Sequence, residues 1–414
     1  MIRHYRRWMA AFPALLLGFF LALSVLPAAA QDGGRALTQA YNRSGHELFQ
    51  ALAAAPGNAV LSPFSIGTAM AMVLAGARGE TETEMRSVLR HTLSGEQIDA
   101  ANAKALAALL AVGQPSDAKS SNATLRIANA LMLVNPSATV ADAYRDRIRN
   151  YYGAEIIPGA DLAAVNAWVK DKTEGKIPTI LDRLNPQDSH VLLNAIYFKA
   201  PWAHAFSKSA TRDRDFHLTA ADKAEVPTMA QSAAFAIEKG DGYQAIRLPY
   251  ARDGLSMIVV RPDDIAGIDK VIAGFDGARL DALVQALRAA PQRMVTLSLP
   301  KFKFEFAAQL IPRFKALGMS KVFDPAVSDL SGLTGLPREQ AQSSIDQIMH
   351  RAVIEVAEEG TEAAAATAVV VTTRTMAPSQ QPERFTVDRP FMFMIADDAT
   401  GAILFAGRVS DPRK

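Results

Sequence analysis

The chain has 414 residues, 49% of them hydrophobic and 21% charged, a balance that supports a large packed core and speaks against intrinsic disorder. Forty-four basic residues are matched by forty-two acidic ones and are spread along the chain, so neither nucleic acid nor an anionic membrane surface is indicated as a partner. Cysteine is absent, which removes disulfides, thiol nucleophiles and thiolate metal sites together.

Residues 1–30 differ in kind from the rest. Arg3, Arg6 and Arg7 precede an apolar run from Ala10 to about Leu26, which ends in Pro27-Ala28-Ala29-Ala30. A basic start, an apolar middle and small residues one and three positions before the cut make a secretory signal, so cleavage after Ala30 and export to the periplasm or the extracellular space are expected. Two alternatives stay open, an uncleaved anchor of roughly twenty apolar residues and a twin-arginine signal. Later apolar stretches are interrupted, as at Pro56, Gly57, Asn58, Pro63 and Gly67, so no membrane association is expected after cleavage.

Gly33 to Ala54 and Ser65 to Leu93 carry apolar residues at helical spacing, with Ser62-Pro63 between them as a helix start. Ser94 to Val112 is a further helical stretch, and Gly113 to Asn122 is polar and loop-like. Thr124 to Val134 has strand character, Thr139 to Tyr152 and Asp161 to Thr179 return to helical spacing, and His190 to Phe198 is an apolar strand. From Val226 onward strand signals dominate, at Ala245 to Pro249, Leu255 to Val260, Met294 to Leu299, Phe385 to Ile395 and Ala402 to Val409. Helices early, strands late and no regular alternation predict an α+β fold with antiparallel or mixed sheets. No repeat or linker divides residues 31–414, which read as one domain and a monomer.

Catalytic patterns are missing. There is no Gly-x-Ser-x-Gly elbow, His-Glu-x-x-His pair, phosphate-binding glycine loop or dinucleotide fingerprint, and the seven histidines are scattered. A hydrolase would need a triad assembled by the fold alone. The informative stretch runs from Glu358 to about Glu383. Its alanines tolerate a helix, yet Val369 to Thr373 is a β-branched run and Gly360 is conformationally permissive. Drawn as a strand, it places Thr361, Ala363, Ala365, Thr367, Val369 and Val371 on one face, small and then β-branched, and Glu362, Ala364, Ala366 and Ala368 on the other. Composition alone favours an alanine-rich surface helix or linker.

Glu359-Gly360-Thr361-Glu362-Ala363-Ala364-Ala365-Ala366-Thr367 resembles the hinge of inhibitory serpins. The resemblance extends from about residue 35 to the end, through Asn58-Ala59-Val60-Leu61-Ser62-Pro63-Phe64-Ser65-Ile66, Leu193-Asn194-Ala195-Ile196-Tyr197-Phe198-Lys199, Leu299-Pro300-Lys301-Phe302, His350-Arg351-Ala352 and Arg389-Pro390-Phe391. It implies a serpin fold of about eight or nine helices and three β-sheets, with an exposed reactive loop over 358–383. It also implies a single-use inhibitor rather than an enzyme. A serine protease would cut the loop, form an acyl-enzyme and be carried across the molecule as the loop enters the large sheet.

The family's usual spacing puts the cut after the fourteenth residue beyond the hinge glycine, which is Arg374, and makes Arg374-Thr375 the reactive bond. Arginine suits the acidic primary pocket of a trypsin-like protease, the expected covalent partner. Thr373 and Met376 are the neighbouring alternatives. Ser62, Ser65, Asn194 and His350 match the region where the large sheet opens, although by themselves they read as a helix cap and buried polar groups. Met85 to His91 lacks the basic cluster with which some serpins bind sulfated polysaccharides, so no cofactor and no metal are expected. A non-inhibitory serpin acting as a binding or carrier protein is the alternative; no proline or bulky charge stands at Thr361, Ala363 or Ala365 to favour it.

Overall fold

The computed structural model describes residues 28–112, 123–135, 138–159, 161–185, 188–251, 254–340, 342–361 and 381–414. In chain order the first part contains α1 (Ala28–Ala53), β1 (Ala59–Leu61), α2 (Pro63–Gly76), α3 (Gly79–Val88), α4 (Gly95–Val112) and β2 (Thr124–Leu133). It continues with α5 (Asp142–Tyr152), β3 (Glu155–Pro158), α6 (Leu162–Lys172) and β4 (His190–Pro201). Next come β5 (Arg212–His217), β6 (Lys223–Gly240), β7 (Tyr243–Pro249), β8 (Leu255–Pro262), α7 (Ile268–Gly274), α8 (Gly277–Ala289), β9 (Arg293–Pro300) and β10 (Phe302–Gln309). The last part holds α9 (Ile311–Ala316), α10 (Ser331–Thr334), β11 (Ile345–Ala357), β12 (Gly360–Thr361), β13 (Glu383–Thr386), β14 (Phe391–Asp397) and β15 (Ile403–Val409).

The α+β reading holds, with ten α-helices among the described residues, two of them only four and six residues long. The long stretch Ser65 to Leu93 is two helices. Arg78 is extended between them (φ −137°, ψ 164°), and its N–H donates to the Asp329 carbonyl. Phe385 to Ile395 is likewise two strands, because β13 runs parallel to β9 while β14 lies between β8 and β15. The later half also contains α7 and α8, which the strand-dominated reading passed over. In α8, Leu280, Leu283, Val284 and Leu287 form a buried stripe behind the Asp276 cap, whose carboxylate accepts from Arg279 N at 2.8 Å.

The strands form two connected sets among the described residues, the larger of which is two sheet regions joined through one strand. One has the order β10-β11-β12-β4-β2-β3, with β11 and β4 also paired directly; the other runs β1-β15-β14-β8-β7-β6-β9-β13, with β5 on β6. The long β6 is why two regions merge. Its first part pairs with β5 and β9 and its end with β7, so one 18-residue strand carries hydrogen bonding from one region into the next.

Helix α2 packs against both β4 and β15, and all fourteen of its residues are buried. A helix apolar on every side is stable only when surrounded, and this one fills the space between the sheets. Gly67 admits the Tyr41 ring of α1, since a Cβ there would lie 2.4 Å from Tyr41 Cδ1. No helix among the described residues is long and apolar enough to cross a membrane.

Arg408 on β15 fastens the end of α1. Its guanidinium is 4% exposed and donates to the carbonyls of Ala53, Ala55 and Gly57, and it pairs with Asp269 at 3.1 Å. Arg408→Met leaves three carbonyls without this donor. A loss of roughly 3 kcal/mol is expected, read as a lower urea midpoint; an unchanged midpoint would contradict the assignment.

Candidate functional site

β11 and β4 are parallel neighbours in the six-stranded sheet, paired from Ile345–His190 to Val353–Tyr197. Three residues further along each strand they are no longer partners. There β12 lies between them, antiparallel to both, with Gly360 opposite Ala357 and Pro201 and Thr361 opposite Val356 and Ala200. The chain leaves β11, turns at Glu358-Glu359 and re-enters the sheet at this fork. The sheet is thus already parted at its upper end by Gly360 and Thr361 of the hinge.

Three groups hold the fork. The Trp202 ring stacks on Tyr250 (centroids 4.6 Å apart, planes at 8°), and its Nε1–H donates to Ala357 O at 2.9 Å. The Trp202 and Phe206 main-chain N–H groups donate to the Glu359 and Glu358 carbonyls at 2.9 and 2.8 Å, so the turn is fixed by β4 and the segment after it. Tyr250 Oη and Thr361 Oγ1 are hydrogen-bonded at 2.7 Å, and Thr361 is fully buried.

Glu358 is 5% exposed, pairs with Lys301 Nζ at 2.8 Å and accepts from Thr211 Oγ1 at 2.8 Å. Burial pushes its carboxyl upward, but these hydrogen bonds, led by Lys301, outweigh it and leave the group below the usual carboxylate range. Gly360 is required by close approach, because a Cβ at that position would lie 2.2 Å from Ala200 O and 2.5 Å from Pro201 Cα.

Lower in the same seam a buried polar chain crosses from strand to strand. His350 Nδ1–H of β11 donates to Asn194 Oδ1 of β4 at 2.6 Å. The Asn194 amide donates to Ser65 Oγ of α2 at 2.6 Å and to Asn129 Oδ1 of β2 at 2.7 Å. His350, Asn194 and Ser65 are fully buried, and His350 Nε2 has no hydrogen-bond partner among the described residues. Burial drives the His350 pKa down to about 3 and keeps the ring neutral.

Three of the four residues expected at the opening region meet here. Ser62 does not join them; its Oγ accepts from Ser65 N at 3.1 Å and caps α2, which positions Ser65. Asn129 was missed, although it is the lone amide in the apolar stretch Thr124 to Val134. Glu359, Gly360 and Thr361 lie at the fork. Glu362, Ala363, Ala364, Ala365, Ala366 and Thr367, and the bond Arg374-Thr375, fall outside the described residues. Among the described residues no serine or threonine hydroxyl is hydrogen-bonded to a histidine, and no group of three His, Cys, Asp or Glu could hold a metal.

Residues 39–412 match the family model described as serpin (serine protease inhibitor). The chain belongs to the serpin family. It is 34% identical over 413 residues to Iripin-2 of Ixodes ricinus, covering 97% of this chain and 100% of that one. Identity to the leukocyte elastase inhibitor of Homo sapiens is 33% over 412 residues, covering 91% and 99%. The crystal structure of Serpin48, a serpin of the insect Tenebrio molitor, superposes with a TM-score of 0.77 at 30% identity, covering 91% of this chain and 98% of that one. Relatives in the family are named as protease inhibitors rather than as enzymes.

The seam makes stability depend on pH. The folded chain holds His350 neutral down to about pH 3, whereas the unfolded chain takes up the proton below its ordinary 6.5. The contribution is therefore complete above pH 6.5 and is lost as the pH falls towards 3. His46, His91 and His190 are also lowered by burial and act in the same direction. Replacing His350 by Gln should flatten the acid limb of the stability profile by up to about 1.4 kcal/mol per pH unit. An unchanged limb in urea titrations from pH 7 to pH 4 would refute the assignment.

Proposed function

We propose that this serpin is exported, after removal of residues 1–30, and inhibits trypsin-like serine proteases by being cut at Arg374-Thr375. The observation that carries the reading is the register of β12. Thr361 sits opposite Val356 and Ala200, and each further loop residue moves one residue down both strands. Thr367, six residues on, would come opposite His350 and Asn194. Those two are the partners already aligned across the closed seam. A loop strand can therefore follow β12 into the sheet without any sliding of β4 against β11.

The side chains agree with that path. Thr361 points into the buried face, so Ala363, Ala365, Thr367, Val369 and Val371 would follow it inward. Small residues enter first. Thr367 would bring a hydroxyl to the place where the His350–Asn194 bond must break, so a buried polar pair is not left without a partner. Ser62, Ser65, Asn194 and His350 then act as the element that holds the sheet shut until the loop arrives.

In the reaction, the protease serine attacks the Arg374 carbonyl, its ester to Arg374 forms, and the amine of Thr375 leaves. Freed from its downstream attachment, the loop enters the seam, and each residue pairs main-chain groups with β4 and β11 on both sides. If insertion outruns hydrolysis of the ester, the protease stays bound. Arg374 supplies the charge that an acidic primary pocket recognises. No cofactor enters the scheme, and the partner is one protease per monomer.

Mixing the mature chain, expected to begin at Gln31, with trypsin should give a denaturant-resistant band at the summed mass and a carboxy-terminal fragment starting at Thr375. Thr361→Arg places a charge where Thr361 is now fully buried. That variant should be cut at the same bond but yield mostly free cleaved chain. Equal amounts of complex from both proteins would contradict insertion through the fork, and a fragment starting elsewhere would reassign the reactive bond.

A further inference from the structure

The lower end of the seam carries a feature that neither the hinge nor the His350 chain uses. Between Ile345–His190 and Gln347–Val191 the pairing of β11 with β4 slips, and Asp346 is the extra residue in β11. Its carboxylate reaches across the seam. Asp346 Oδ2 accepts from the main-chain N–H groups of Ser189 at 2.6 Å and His190 at 3.1 Å, while Oδ1 accepts from Ser344 Oγ at 2.7 Å.

Neighbouring bonds reinforce the same end. His190 Nδ1 is 3.2 Å from Ser344 O, and Gln347 Nε2 donates to Asp188 of the segment before β4. On its other side β4 is held too, since Ser189 O accepts from Val134 N at 3.1 Å. The bonds from Asp346 are charge-assisted, and they bridge the two strands that must separate.

We propose that Asp346 is a clasp that closes the lower end of the β4–β11 seam and sets the rate of the last part of loop insertion. The inference rests on the inhibitory reading above. Continued in the register of β12, residue 369 would come opposite Ile348 and Leu192, still above the clasp, and residue 371 would arrive at Asp346 and His190. A loop can thus fill the upper seam with Asp346 still bonded to β4. Passing that point requires the carboxylate to release both N–H groups. Asp346 acts on insertion through β4 and is a positioning residue.

The test uses two synthetic peptides, residues 362–369 and residues 362–374, added to the intact mature chain. Uptake is followed by native electrophoresis and by fluorescence of a label on the peptide. Asp346→Ala should take up the long peptide roughly tenfold faster than the parent chain, with the rate for the short peptide unchanged. Asp346→Asn, which keeps the side-chain volume and one acceptor oxygen, should lie between the two and is the variant to use if Asp346→Ala does not fold.

Equal acceleration of both peptides would mean general loosening and would overturn the clasp, as would no acceleration of either. If the parent chain takes up neither peptide, the insertion reading itself falls, and the clasp with it.

Discussion

The proposed function turns on one seam, the line where β4 and β11 lie side by side in parallel. Two parallel strands can accept between them a strand antiparallel to both, and β12 already does so above their paired stretch. Each strand is otherwise fully paired, so the seam can open only by exchanging strand–strand hydrogen bonds for bonds to an incoming strand. The groups along it fall in sequence. Trp202, Tyr250 and Glu358 hold the fork, His350 with Asn194 bridges the middle, and Asp346 closes the lower end.

Each of these contacts is local to its own place along the seam. The central bridge is buried and neutral, so breaking it exposes no charge; its cost is that of unmade hydrogen bonds, about 1–3 kcal/mol for a buried group left without a partner. The Glu358–Lys301 pair lies beside the turn rather than in the gap, and it can persist while residues beyond Thr361 move.

Much of this was legible in the sequence. Ser62-Pro63 announced the start of α2, and Thr124 to Val134 and His190 to Phe198 are the strands expected. The hinge was recognisable because Gly360 and Thr361 lead into a run of small residues, and the structure adds the reason for the glycine, the carbonyl of Ala200 standing where a Cβ would lie. What escaped notice was β11 itself, although Ile348, His350, Ala352, Ile354 and Val356 alternate inward. Its alternation is broken at the Asp346 bulge and carries a histidine on its buried face, so its pattern is less apolar than that of β8 or β14. Cross-strand partners such as Asn129, Tyr250 and Asp346 have no local signature. Their roles come from register, which no single segment reveals.

The central claim is that cutting the loop lets it become a strand of this sheet. The most direct measurement is the thermal unfolding of the intact chain beside that of the same chain cut once within residues 368–380 by a protease that it does not trap. An added strand buries Ala363, Thr367, Val369 and their neighbours and pairs main-chain groups with β4 and β11, so the cut form should unfold at a much higher temperature than the intact one. A cut form that melts at or below the temperature of the intact chain would contradict the account.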